Sequence, residues 1–159
     1  MNAKPTIFVD ADACPVKEEV LKVADRHDCP VTFVANGGLR PSRNANVRNV
    51  VVSDGFDAAD DWIVDHAGAD DIVVTADILL AQRCVDKGTN AVGPTGRIFD
   101  SDSIGMAAAN RNLNQHLRES GAISGHNAAF TQRDRSRFLQ ALDGLVRRAG
   151  RQGALSKTH

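Results

Sequence analysis

Tyrosine is absent from the 159 residues, and tryptophan occurs once, at Trp62. That scarcity excludes a binding surface built mainly on stacked aromatic platforms. Cysteine is sparse too: Cys14, Cys29 and Cys84 are odd in number and far apart. Such spacing excludes a CxxC zinc site and a disulfide framework, and it leads to the expectation of reduced thiols in a cytoplasmic protein. No apolar run approaches the roughly 20 residues that span a bilayer. The opening Met-Asn-Ala-Lys-Pro-Thr runs straight into an apolar stretch, so neither a membrane segment nor a signal peptide is expected. The glycines of Asn36-Gly37-Gly38 do not make GxGxxG, which leaves a dinucleotide fingerprint unsupported. Repeats and low-complexity segments are missing.

Charge of one sign is missing only on average. The net of −1 is a cancellation: residues 1–110 carry 10 Lys or Arg against 17 Asp or Glu, and residues 111–159 carry 9 against 3. An acidic part and a basic part suit a cation site beside a surface for a polyanion, although ordinary solvated helix faces give the same imbalance.

What the chain does have is Ile7-Phe8-Val9-Asp10-Ala11-Asp12-Ala13-Cys14-Pro15. An apolar run ends in two aspartates, and a proline then leads into a helical pattern to about His27. This reads as a buried strand with acid at its C-terminal tip. Val31–Ala35 and Val47–Val52 read as the next strands. A helix from Asp57 through Trp62 and Ala67 follows, then the strand Ile72–Thr75. A helix from Ile78 to about Asp86, a short strand at Ala91-Val92 and a Gly93-Pro94-Thr95-Gly96 turn come next. Two longer helices, near 102–119 and 132–148, complete a single domain over 1–150, with residues 151–159 expected to be a flexible tail. Strands alternating with helices predict a three-layer α/β/α fold with a mostly parallel, five-stranded sheet in the order 3-2-1-4-5. That order sets the tips of the first and fourth strands side by side at the topological switch point, with Asp10 facing Asp77.

Six carboxylates then come into question. Asp10 and Asp77 end strands, Asp12 lies just beyond the first tip, and Asp57, Asp60 and Asp61 start the middle helix. Carboxylates held close repel one another until a cation neutralises them. Hard oxygen donors with positions left for water suit Mg²⁺ or Mn²⁺, ions that activate water and steady a leaving oxygen in phosphodiester cleavage. Each residue also has a plainer reading. Asp57 is a good N-cap, Asp60 a capping-box partner and Asp61 a solvated charge. Asp10 is the hardest to dismiss, because a carboxylate ending a buried strand needs a partner.

Asp10-Ala-Asp-Ala-Cys-Pro-Val-Lys17, Val31-Thr-Phe-Val-Ala-Asn-Gly37, Asp57-Ala-Ala-Asp-Asp-Trp-Ile63 and Val74-Thr-Ala-Asp-Ile-Leu-Leu-Ala81 recur in order in a known family. With Gly105, Arg111, Arg118 and Asp134-Arg-Ser-Arg-Phe138, the chain resembles the YaiI/YqxD family of largely uncharacterised bacterial proteins over nearly its whole length. That family is similar to PIN-like nuclease domains. The resemblance implies metal-ligand roles for Asp10 and Asp77, with Asp57, Asp60 or Asp61 supplying a middle acid; Asp10, Asp77 and Asp61 stand as the candidate catalytic set. Gly125-His126-Asn127 departs from the family's Gly-Gly-Pro turn, which bears on the loop before the last helix and not on the acidic site.

For binding, Lys17, Asn36, Arg111, Arg118, Arg133, Arg135 and Arg137 are the candidates for phosphate contacts. Solvated lysine and arginine, and a turn-forming Asn36, are the plain alternatives. Cys14 lacks an arginine at CxxxxxR spacing, so it reads as a packed cysteine. The five histidines show no metal spacing. The expected activity is a metal-dependent nuclease with single-stranded RNA as partner. Two alternatives stand beside it: a nucleic-acid-binding or regulatory module with a relict site, and a haloacid-dehalogenase-like phosphatase with Asp10 as nucleophile and Asp12 as acid/base.

Overall fold

The apolar run near the start forms strand β1 (Ile7–Asp10), and its side chains leave on alternate faces as the pleat requires. Ile7 and Val9 are buried on one face and Phe8 on the other. The computed structural model describes residues 4–11, 14–37, 44–52, 58–100 and 130–157, with side chains described through Ala149. After β1 come helix α1 (Lys17–His27), strands β2 (Val31–Ala35) and β3 (Val47–Val51), and helix α2 (Ala58–His66). Strand β4 (Ile72–Val74), helix α3 (Ile78–Lys87), strands β5 (Asn90–Val92) and β6 (Ile98–Phe99), and helix α4 (Gln132–Lys157) follow. None of these helices is long and apolar enough to cross a membrane.

Among the described residues the sheet has six strands, in the order β3-β2-β1-β4-β5-β6. The first five are parallel to one another and keep the expected 3-2-1-4-5 order. The expected count of five is corrected by β6, which pairs antiparallel with β5 at Ala91↔Phe99 and Val92↔Ile98. The Gly93–Gly96 turn is therefore a hairpin, closed by the Gly93 N–H on the Arg97 carbonyl at 2.8 Å. A two-residue strand is too short to show an alternating pattern. Helix α4 also runs beyond the end near 148 that apolar spacing suggests, because Gly150 and Gly153 lower helix propensity without removing a hydrogen bond. The helix expected near 102–119 lies outside the described residues.

Two cores flank the sheet. On one face Val20 and Val23 of α1 and Phe138, Leu142 and Val146 of α4 pack on Ile7, Val9 and Val74. On the other, Ile63 of α2 and Leu80, Ala81 and Cys84 of α3 pack on Phe8, Val34 and Val73. Fully burying a side chain such as Phe138 or Leu142 contributes about 2–3 kcal/mol. Charge pairs join the two helices of the first face. Arg135 donates to Glu19 Oε1 and to the Pro15 carbonyl, both at 2.9 Å. His27 Nε2 lies 2.6 Å from Asp143 Oδ1, and Arg147 and Arg26 approach the same carboxylate at 3.0 and 3.5 Å. On the second face Trp62 stacks on His66, with ring centroids 3.8 Å apart and planes 13° off parallel.

The path from β1 to β2 passes through α1 on the first face, whereas the path from β3 to β4 passes through α2 on the second. The winding therefore reverses between β1 and β4. Their register, Val9↔Val74, brings the following residues Asp10 and Thr75 to the same end of the sheet.

Candidate active site

Thr75, 2% exposed, directly follows β4. Its hydroxyl donates to Asp10 Oδ2 at 3.0 Å, and its oxygen accepts the Asp77 backbone N–H, also at 3.0 Å. One hydroxyl thus ties the tips of β1 and β4 together. Asp77 then starts α3 from an extended backbone. Its Oδ1 accepts the N–H groups of Leu79 at 2.9 Å and Leu80 at 3.4 Å. That is N-cap geometry, which satisfies N–H groups of the first helical turn.

Asp10, Cys14, Thr75, Ala76, Asp77 and Pro94 line a cavity of about 310 Å³ between the two tips. Pro94 arrives from the β5–β6 hairpin, whose position is fixed by a close approach. Gly96 has φ +91°, and a Cβ there would lie 2.7 Å from the carbonyl carbon of Arg137 in α4. Only glycine meets both conditions. Burial pushes the Cys14 thiol up from its ordinary value, against a smaller opposing hydrogen bond from the Val16 backbone and the nearby Lys17 charge. The thiol is neutral at pH 7, so it is not an activated nucleophile.

The expected neighbours Asp10 and Asp77 share this cavity. Asp60 and Asp61 lie in the first turn of α2 and do not line it. Asp61 is paired instead with Arg83 of α3 at 2.9 Å. Asp12, Asp57, Arg111 and Arg118 lie outside the described residues. Asn36 is exposed just past β2, and Lys17 is half-buried in the first turn of α1. Arg133 and Arg137 are exposed near the start of α4. Arg135 turns inward onto Glu19, with its guanidinium 4.8 Å from the centre of the Phe130 ring.

Among the described residues no group of three or more His, Cys, Asp or Glu is placed to hold a metal ion. Asp10 and Asp77 alone make a two-carboxylate oxygen set. Such a set fits a hydrated Mg²⁺ or Mn²⁺, which keeps several waters, and does not fit a closed zinc centre. Sequence reasoning missed the part played by Thr75, whose signal is a hydroxyl between the strand end and the helix-starting aspartate. It also missed the Glu19–Arg135 and His27–Asp143 pairs, whose members stand 116 residues apart, beyond any periodic pattern.

Residues 8–148 match a family model described as an uncharacterised bacterial protein family, YaiI/YqxD. Among curated proteins, a UPF0178 protein from Agrobacterium fabrum is 63% identical over 148 residues, 93% of this chain and 97% of that one. One from Rhizobium meliloti is 65% identical over 145 residues, covering 91% and 99%. One from Rhodopseudomonas palustris is 52% identical over 153 residues, covering 96% and 97%. No solved structure gives a significant match.

Proposed function

The chain belongs to the YaiI/YqxD family of uncharacterised bacterial proteins, and from that premise we propose a divalent-metal-dependent nuclease that hydrolyses phosphodiesters in RNA. The observation that carries this reading is the shared cavity of Asp10 and Asp77 at the switch point, with Thr75 bonded to both tips. Asp10 and Asp77 would hold the ion, and Thr75 would fix the angle of the Asp10 carboxylate. Bound Mg²⁺ or Mn²⁺ would supply charge neutralisation and a more acidic water. Asp77, anchored at the N-terminus of α3 by its bonds to Leu79 and Leu80, is held at the cavity wall. Arg133 and Arg137, exposed near the start of α4, would supply phosphate contacts. Arg135 is engaged with Glu19 and ties α1 to α4. A cytoplasmic location accords with three free cysteines.

A second reading, a nucleic-acid-binding module with a relict site, rests on the exposed Arg133 and Arg137, which would contact phosphates without any metal. Titration with Mn²⁺ separates the two. The nuclease predicts that Mn²⁺ raises the melting temperature, that single-stranded RNA is cleaved, and that Asp10→Asn abolishes both. A wild-type protein that binds RNA, ignores millimolar Mn²⁺ and cleaves nothing fits only the module.

A further inference from the structure

A second cavity, of about 420 Å³, opens beside the first, and Cys14 lines both. Its wall joins the first turns of α1 to the start of α4 and is almost wholly polar. Lys17, Lys22, Gln132, Glu18, Glu19 and Arg135 contribute to it. Glu19 and Arg135 neutralise each other at 2.9 Å. That leaves two lysines against the exposed carboxylate of Glu18. Lys17 is half-buried and makes no ion pair with any described residue. A lysine that buries its stem in a wall can keep its ammonium at the mouth of the cavity, where an anion can meet it.

The backbone adds to this. Helix α1 spans the 11 residues Lys17–His27, and its N-cap residue, Val16, provides no side-chain hydrogen bond to the first turn. Its first-turn N–H groups therefore lack a side-chain acceptor at the positive end of the helix, beside Lys17. Gln132 adds an amide donor from the opposite wall. An anion with several acceptor oxygens matches an ammonium, an amide and an uncapped helix end together.

We propose that this cavity is a phosphate subsite for the nucleic-acid backbone, holding a phosphate that neighbours the phosphodiester at Asp10 and Asp77. The inference rests on the nuclease reading for the identity of its ligand, and it adds Lys22 and Gln132 to the contacts. Cys14 lines both cavities, so the acidic site and the basic one adjoin across a single residue. The Glu19–Arg135 pair positions the wall by tying α1 to α4.

The test uses the full chain without metal, in a chelator, so that binding is read without cleavage. Inorganic phosphate is titrated at constant ionic strength while backbone amide shifts are followed by NMR. Shifts concentrated at Lys17–Glu19 and Gln132, lost in a Lys17→Gln/Lys22→Gln double variant, are expected. Phosphate that perturbs no residue there, or perturbs the double variant equally, overturns the proposal. A second arm measures a single-stranded oligouridylate. The double variant should bind about tenfold more weakly and show a shallower salt dependence. If phosphate binds but oligouridylate affinity is unchanged, the cavity serves free phosphate and the backbone proposal fails. If oligouridylate affinity falls as expected while the wild type never cleaves with Mn²⁺, the subsite stands and the nuclease reading alone is lost.

Discussion

The Thr75 hydroxyl sits 3.0 Å from Asp10 Oδ2, so the carboxylate at the end of β1 is held by a residue that follows β4. Replacing Thr75 with Val keeps the shape and removes both bonds of the hydroxyl. Asp10 loses a donor and the Asp77 N–H loses its acceptor. The expected cost is about 1–3 kcal/mol, with Thr75→Ser close to wild type. Urea unfolding of the three proteins checks this, and a Val variant as stable as wild type would show that the hydroxyl contributes nothing.

Asp77 is placed to do two things, and two substitutions separate them. Asn caps helices about as well as Asp, whereas Ala does not. Asp77→Asn should stay within a few tenths of a kcal/mol of wild type, and Asp77→Ala should lose about 1 kcal/mol. Both should lose stabilisation by Mn²⁺. An Asn variant that still melts higher with Mn²⁺ would leave Asp77 as a cap alone.

The pairing of Glu19 with Arg135 is asymmetric. Glu19 is 6% exposed and its Oε2 has no hydrogen-bond partner among the described residues, whereas the Arg135 side chain is 37% exposed. Arg135→Ala therefore strands a buried carboxylate and should cost about 2–3 kcal/mol, below the range for wholly buried pairs. Adding Glu19→Leu to Arg135→Ala should recover much of that loss. A double-mutant cycle by equilibrium unfolding reads the coupling, and additive losses would contradict it.

Much of this architecture was legible because it follows from short-range rules. Alternating burial of Ile7, Phe8 and Val9 marks β1, and right-handed crossovers leave few strand orders, so Asp10 and Asp77 fall together. The capping role was harder to read. Asp57 and Asp77 both precede helical patterns, and an N-cap looks the same in sequence as a strand-tip ligand. The middle acid was implied by the family resemblance, which did not reveal that Arg83, one helix away, pairs with Asp61. Strand β6 escaped notice because its pairing with β5 comes from the hairpin turn and not from two residues of pattern.

Acid should weaken the junction of α1 and α4 at Asp143. The His27 hydrogen bond, followed by the Arg147 and Arg26 charges, holds its carboxyl below the ordinary 3.8, against an opposing effect of burial. A folded value below the unfolded one means the unfolded chain binds the proton more readily. The contribution is therefore complete above about pH 4 and is lost as pH falls through the folded value. Urea midpoints from pH 6 to pH 2 should fall more steeply for wild type than for Asp143→Asn. Asp28, whose carboxyl is lowered by Asn46 and Lys4, leaves a residual slope in both proteins. Identical acid limbs would mean that the cluster adds no pH-dependent stability.

The stacked Trp62–His66 pair turns this chain into its own optical probe. With no tyrosine and a single indole, ultraviolet emission comes from one place, the face of the sheet covered by α2 and α3. A change in that emission reports the face with the Trp62–His66 stack, while events at α1 and α4 remain dark. An unfolding transition seen by circular dichroism but preceded or trailed by fluorescence would therefore identify which of the two layers comes apart first, with no label added.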